Sequence, residues 1–285
     1  MAKKSKSTSA TEKKHDVTIH WFRNGLRLHD NPCLLDACSQ SSSILPLYVI
    51  DPDAPFAQTA GRKAGAIRAN FILESIQEIN LKLEKHDSKL VVVLGKPHIV
   101  IPKIVKEVQA NAIYYEREPA APVRESDALV LDGINTEDVD IVGYDTHTLH
   151  SMEHYLAHCK DHVAPNTYGV FTKMFNKLSV PEEVPDCDLE TFPPLPSSLD
   201  KFKSTADCDV TNECPSLKDL GYDKKEIKNR HKSGIKFVGG EDAGLALLDK
   251  MMARTQWVST FEKPKTSPNA LKVDTTGLSA CKYVC

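Results

Sequence analysis

The stretch Trp21 to Pro32, WFRNGLRLHDNP, sets two arginines and an aspartate around one turn. It lacks the G-x-G-x-x-G pattern whose glycines let a helix start approach a pyrophosphate, so a conventional dinucleotide site is disfavoured. The plain reading of its charges is that Arg27 and Asp30 pair, fixing the loop and the start of the next helix. Asp51, Asp53 and Arg62 fall where a strand would end, at the edge where α/β folds place ligands. No phosphate loop or nucleophile motif accompanies them, which weighs against an unrelated nucleotide-binding enzyme. The eight cysteines contain no C-x-x-C pair. They read as reduced thiols, with Cys33 and Cys38 packing a helix; Cys281 and Cys285 have no partner cluster to complete a four-ligand metal site, so no metal is expected.

These groups need a scaffold, and the sequence between Val17 and Tyr144 supplies one by alternating β-rich runs with helical patterns. The strands are VTIHWF from Val17, ILPLYVI from Ile44, LVVVL from Leu90, AIYYE from Ala112 and DIVGY from Asp140. Several are apolar without alternation, as in a sheet covered on both faces. Between them, Asp30 or Asn31 caps a helix with Pro32 in its first turn. Gly65 to Lys85 turns Ile67, Phe71, Ile72, Ile76, Ile79 and Leu83 to one side. The next helix is expected to begin at Pro102 rather than run through it, and a fourth occupies about Val123 to Leu131.

Helical stretches around Met152 to Cys159 and Tyr168 to Leu178 precede a region rich in Pro, Asp and Ser, from Val180 to about Gly240, that is too long for an ordinary loop. One helix, Glu241 to about Val258, then follows through Gly239 and Gly240. The fold expected is α/β: a five-stranded parallel Rossmann-like sheet flanked by helices, then a long connector and the first helix of an all-α domain left incomplete. The divisions are a disordered basic tail over 1–16, an α/β domain over 17–150, a connector over 151–240 and the helical start over 241–285.

Composition sets limits on function. With 36 Lys plus Arg against 39 Asp plus Glu, the net charge of −3 gives no overall attraction for polyanions. No apolar run reaches bilayer length, so no membrane role is expected. The Lys/Ser/Thr-rich first sixteen residues cannot bury enough apolar surface to fold. With no apolar signal sequence, an intracellular place is expected, in nucleus or cytoplasm, with a plastid also compatible.

Read as a string, Trp21 to Pro32 resembles the opening signature of the cryptochrome/photolyase family, W-F-R-x-x-L-R-x-x-D-N-P. The resemblance continues in order through YVIDP (Tyr48 to Pro52), THTL (Thr146 to Leu149), PNTYGVFTKMF (Pro165 to Phe175), CPSLKDLGY (Cys214 to Tyr222), FVGGEDAGLALL (Phe237 to Leu248), FEKPKTSPN (Phe261 to Asn269) and TTGLS (Thr275 to Ser279). The P-S-L-x-x-L-G, G-G-E and F-E-K-P-K elements are most similar to the branch joining animal-type cryptochromes and six-four photolyases.

This resemblance implies an α/β antenna domain, a connector and a large helical domain holding FAD, with a deazaflavin or folate as a possible antenna pigment. Photolyases of the family use excited reduced FAD to repair pyrimidine photoproducts; cryptochromes serve blue-light or circadian signalling. The flavin-phosphate loop carries over to Thr275, Thr276, Gly277, Leu278 and Ser279, with Lys263 as a basic contact ahead of it. Hydroxyls and amides at a helix start suit a diphosphate. Gly277 replaces a branched residue, and LSACKYVC stands where the family continues L-S-P-Y-L-K-F-G. No catalytic residue can be assigned, and the resemblance does not make this chain itself an enzyme. Damaged DNA or signalling proteins would be met through the helical domain, and this chain alone is not expected to retain FAD. The alternative is a stand-alone α/β module that binds a chromophore or a partner.

Overall fold

β-branched and aromatic residues dominate the first strand, β1 (His15–Phe22), and everything from Thr18 to Phe22 in it is buried. Such a strand suits the centre of a sheet. Around it lie β2 (Ser41–Ile50), β3 (Val91–Leu94), β4 (Ala112–Glu116) and β5 (Asp140–Tyr144), and all four pairings among these five strands are parallel. A computed structural model provides this description, for residues 13–56, 63–201, 208–211, 214–232 and 238–259.

The sheet has six strands, one more than expected, in the order β5-β4-β1-β2-β3-β6. The extra strand, β6 (Asp209–Thr211), runs antiparallel against Val92 to Leu94. Three residues inside a polar connector carry no readable period; what holds them is tertiary. The Thr211 hydroxyl donates to the Val92 carbonyl at 3.1 Å, and Cys208 is buried against the core. The connector thereby covers an edge that would otherwise present unpaired backbone groups.

Helices cover both faces. On one, α1 (Pro32–Gln40) and α2 (Ala66–Glu84) pack over Phe22, Ile44, Tyr48, Ile50 and Val92. On the other, α3 (Pro97–Val108) and α4 (Ala121–Asp132) close over Ile19, Trp21, Leu45, Leu47, Val93 and Ile113. Asn31, rather than Asp30, caps α1: its side chain accepts from the Leu34 amide at 3.0 Å, with Pro32 in the first turn.

Two helices depart from their sequence reading. α3 starts at Pro97 and runs through Pro102. Pro97 fixes the first turn, and Val100, Ile101, Ile104, Val105 and Val108 are all buried, so one backbone bond forgone at Pro102 is outweighed by a continuous apolar face. In α2 the buried stripe is Ala69, Ile72, Leu73, Ile76, Ile79 and Leu83, while Ile67 is exposed and Phe71 half-buried. At Phe71, Gly239 lies directly on the helix backbone: a Cβ there would come within 1.9 Å of the Phe71 carbonyl oxygen.

Beyond the sheet, α5 (Met152–Ala157) and α6 (Tyr168–Phe175) occupy the expected stretches. α7 (Lys224–Lys232) was not foreseen within the connector. The last expected helix is divided into α8 (Glu241–Met252) and α9 (Thr255–Ser259). On α8, Leu245 and Leu248 are half-buried and Met252 is exposed. The described cysteines are free thiols, with Cys33 wholly buried; Cys38 and Cys187 place their sulfurs 3.7 Å apart. Among the described residues, no helix is long and apolar enough to cross a membrane.

Candidate functional site

From β1 the chain steps to β2 and β3 on one side, and then returns to place β4 on the other. This reversal opens a crevice at the carboxyl ends of the central strands, the place where open α/β sheets accept ligands. A cavity of about 400 Å³ lies there. Trp21, Phe22, Arg23 and Asn24 enter from the end of β1, and Tyr48 and Asp51 from β2. Phe56 closes one side, and Glu118, Val123 and Ser126 line the wall toward α4. Its size and its mixture of aromatic walls with a few polar groups suit a small planar ligand.

The polar wall is preorganised. Arg23 donates to Asp127 at 2.8 Å and to the Glu116 carbonyl at 3.1 Å. Its guanidinium lies 4.7 Å from the Trp21 ring centre, a cation–π contact that fixes the indole as well. Burial raises the Asp127 pKa, and the charge and hydrogen bond of Arg23 act against that rise. Asn24 donates to Glu118 at 2.5 Å. Arg23 is thus committed to the protein. Asp51 and Glu118 remain as the acidic groups of the cavity, suited to accept from N–H or O–H edges of a ligand.

The expected Arg27–Asp30 ion pair does not form. Arg27 Nε donates to the Asp30 backbone carbonyl at 3.1 Å, and its guanidinium lies 3.8 Å from Glu116. Asp30 has a left-handed backbone (φ 44°) that makes its carbonyl available at the turn. Glu116, at the end of β4, is the group that organises this loop. It accepts the Thr146 hydroxyl at 2.5 Å, and its other oxygen sits where a side chain on Gly25 would go, 1.9 Å from an ideal Cβ. Gly25→Ala must therefore displace a buried carboxylate, and it is expected to destabilise the fold by about 1–3 kcal/mol in urea unfolding.

Of the acidic pair noted in the sequence, Asp51 reaches the cavity and accepts the Asp53 amide at 2.9 Å, whereas Asp53 turns to Lys96 at 3.1 Å. Arg62 lies outside the described residues. So do Lys263, Thr275, Thr276, Gly277, Leu278 and Ser279, the residues carried over as flavin contacts. Phe56, Glu118, Val123 and Ser126 were not singled out from the sequence. The strand order brings them together, and the one available signal was that each follows the carboxyl end of a strand.

A second cavity, of about 320 Å³, lies between the end of α2 and the start of α8, with His29, Lys82, His86, Cys187 and Glu241 in its wall. Beside it, Glu78, Glu241 and Asp242 converge as if around a cation. Lys82 already fills that place: its ammonium lies 3.1, 2.6 and 2.6 Å from the three carboxylates. Glu241 also accepts the amides of Leu28 and His29 at 2.9 and 2.7 Å, and the His29 ring. Burial would raise the Glu241 pKa, but Lys82 and His29 prevail and hold it at about 2. This is a structural clasp between α8 and the loop after β1.

Comparison with known proteins gives one consistent result. The family model for DNA photolyase matches residues 18–191. Cryptochrome-2 of Gallus gallus is 31% identical over 270 residues, an overlap that covers 92% of this chain and 43% of the relative. Cryptochrome-1 of Spalax judaei is likewise 31% identical, with 92% of this chain and 42% of the relative covered. Among solved structures, the cryptochrome of Synechocystis sp. PCC6803 superposes with a TM-score of 0.68 at 26% identity, covering 94% of this chain and 53% of its own. The chain spans less than half the length of these curated relatives.

Proposed function

Since this chain belongs to the DNA photolyase and cryptochrome family, we propose that it is the α/β antenna portion of a blue-light flavoprotein, and that its carboxyl-edge cavity receives a planar light-harvesting chromophore. The observation that carries this reading is the cavity itself: about 400 Å³, walled by Trp21, Phe22 and Phe56, with Asp51 and Glu118 at its polar side. The aromatic walls stack a flat ring and exclude water, while the carboxylates orient it through its N–H and O–H edges. That acceptor set favours a folate or deazaflavin ring over a bare phosphate, because Arg23 is taken up by Asp127.

In this reading FAD supplies the photochemistry of the whole protein, either electron transfer into a DNA photoproduct or light signalling. The stretch Thr275 to Ser279, with Lys263, would donate to its diphosphate. These residues form only part of the surface a tightly held flavin needs. Purified residues 1–285 should accordingly lack stoichiometric flavin absorption. In equilibrium dialysis against a reduced folate, a deazaflavin and riboflavin, one ring class should bind one to one, and Val123→Trp, which fills the cavity, should abolish that binding. Binding of none of the three would refute the antenna assignment, as would equal binding by the filled variant.

A further inference from the structure

Between β5 and α6 the sequence THTLHSMEHYLAHC repeats a histidine at every fourth position, His150, His154 and His158. A spacing of four sets side chains on one face of a helix, one above another. His150 immediately precedes Ser151, the residue that caps α5, His154 lies in the first turn and His158 ends the helix. The rings form a continuous column: His150 and His154 are 4.9 Å apart between centroids and inclined by 21°, and His154 and His158 are 4.6 Å apart and inclined by 40°.

Other histidines of this chain lie beside carboxylates: His15 near Asp140, His29 near Glu241, His86 near Glu190 and His147 near Glu118. The column instead sets imidazole against imidazole, an arrangement in which protonation of all three would be self-repelling.

Two of the rings are also oriented from behind. His158 Nδ1 lies 2.9 Å from the His154 carbonyl oxygen. A carbonyl only accepts, so Nδ1 carries the proton and Nε2 keeps its lone pair, which is how a ligating histidine is commonly prepared. His150 packs edge-on against Tyr155 at 5.5 Å and near Phe175 at 6.2 Å. His154 and His158 are exposed, so an ion can reach them from solvent.

We propose that His150, His154 and His158 form a surface clip for a borderline divalent transition ion of the Zn²⁺, Ni²⁺ and Cu²⁺ class. Neutral imidazole nitrogen suits these ions, and two histidines four residues apart already make a chelating pair. His154 is shared by both pairs; because the rings are stacked, His154 and one neighbour must turn out of the column to bring two nitrogens onto one ion, and water completes the coordination.

Ni²⁺ is the probe of choice, because the eight cysteines would compete more strongly for a softer ion. Calorimetric titration of tag-free residues 1–285, kept reduced with a phosphine, should show one strong equivalent. His154→Gln should weaken it by about tenfold or more, and His150→Gln or His158→Gln should each weaken it less, since each leaves one pair intact. A thermal melt confirms that the variants fold. The proposal fails if wild type shows no strong equivalent, if His154→Gln leaves the affinity unchanged, or if alkylating the cysteines removes the binding.

Discussion

Between pH 6.5 and 4 this domain is expected to lose stability steeply, and His20 is the main cause. The ring is wholly inside the sheet, edge-on to Phe22 at 4.4 Å and next to the Cys33 sulfur at 3.9 Å. Burial lowers its pKa from 6.5 to about 3. In this window the unfolded chain takes up a proton that the folded chain refuses. The stability is therefore fully present above pH 6.5 and falls as the pH drops toward 3, by about 1.4 kcal/mol per pH unit. At pH 4 the loss reaches about 3 kcal/mol, a large share of a typical domain's stability. His15, whose pKa burial also lowers, acts in the same direction. Urea unfolding at several pH values should give this slope, and His20→Gln should flatten most of it at the cost of lower stability at neutral pH. An unchanged slope in the variant would contradict the assignment.

Glu241→Ala is expected to cost about 3–4 kcal/mol at pH 7, because it removes one carboxylate that serves four donors. The amides of Leu28 and His29 lose their acceptor, and Lys82 loses its most buried partner. Each stranded buried group costs about 1–3 kcal/mol, and breaking a buried ion pair from one side is among the more damaging changes a fold meets. Glu241→Gln keeps an acceptor for the amides and should lose about half as much. The pH dependence has the opposite origin to that of His20 but the same direction. With a folded pKa of about 2 against an ordinary 4.5, the carboxylate's contribution is complete above pH 4.5 and is lost as the pH falls through 2. After allowance for screening by solvent, this amounts to on the order of 2 kcal/mol. Denaturant melts of the two variants at pH 7 and pH 3 measure both effects, and a Glu241→Ala protein as stable as wild type would show that α8 is not clasped.

The sheet was legible because its strands are continuously apolar and its helices carry their own punctuation. Asn31 and Pro32, Gly65, and the run from Val91 to Leu94 all state their roles locally. What was not legible depends on partners distant in sequence. β6 has three residues and exists because β3 offers an open edge. The close approach of the chain to α2 at Phe71 comes from Gly239, more than 150 residues away, and the burial of Glu241 from Lys82 and His29. The same limit applied to the site. Trp21, Arg23 and Asp51 stood out in or beside motifs, but the partner of Arg23 is Asp127 on α4, and the group that holds Arg27 is Glu116 on β4, neither of which has any special neighbourhood in the sequence. The G-G-E string was read as a family marker; its physical reason is a tight approach by the glycines and a buried acid that holds two amides of the loop after β1.

The claim that most needs testing is that a chromophore occupies the carboxyl-edge cavity. Trp21 lines that cavity and is one of only two tryptophans in the chain. With Trp257→Phe, it becomes the sole indole emitter. Titration with the ring compound that dialysis selects should quench Trp21 fluorescence, with a midpoint equal to the dialysis constant and saturation at one equivalent. Binding that leaves Trp21 emission unchanged would place the ligand elsewhere and contradict the account.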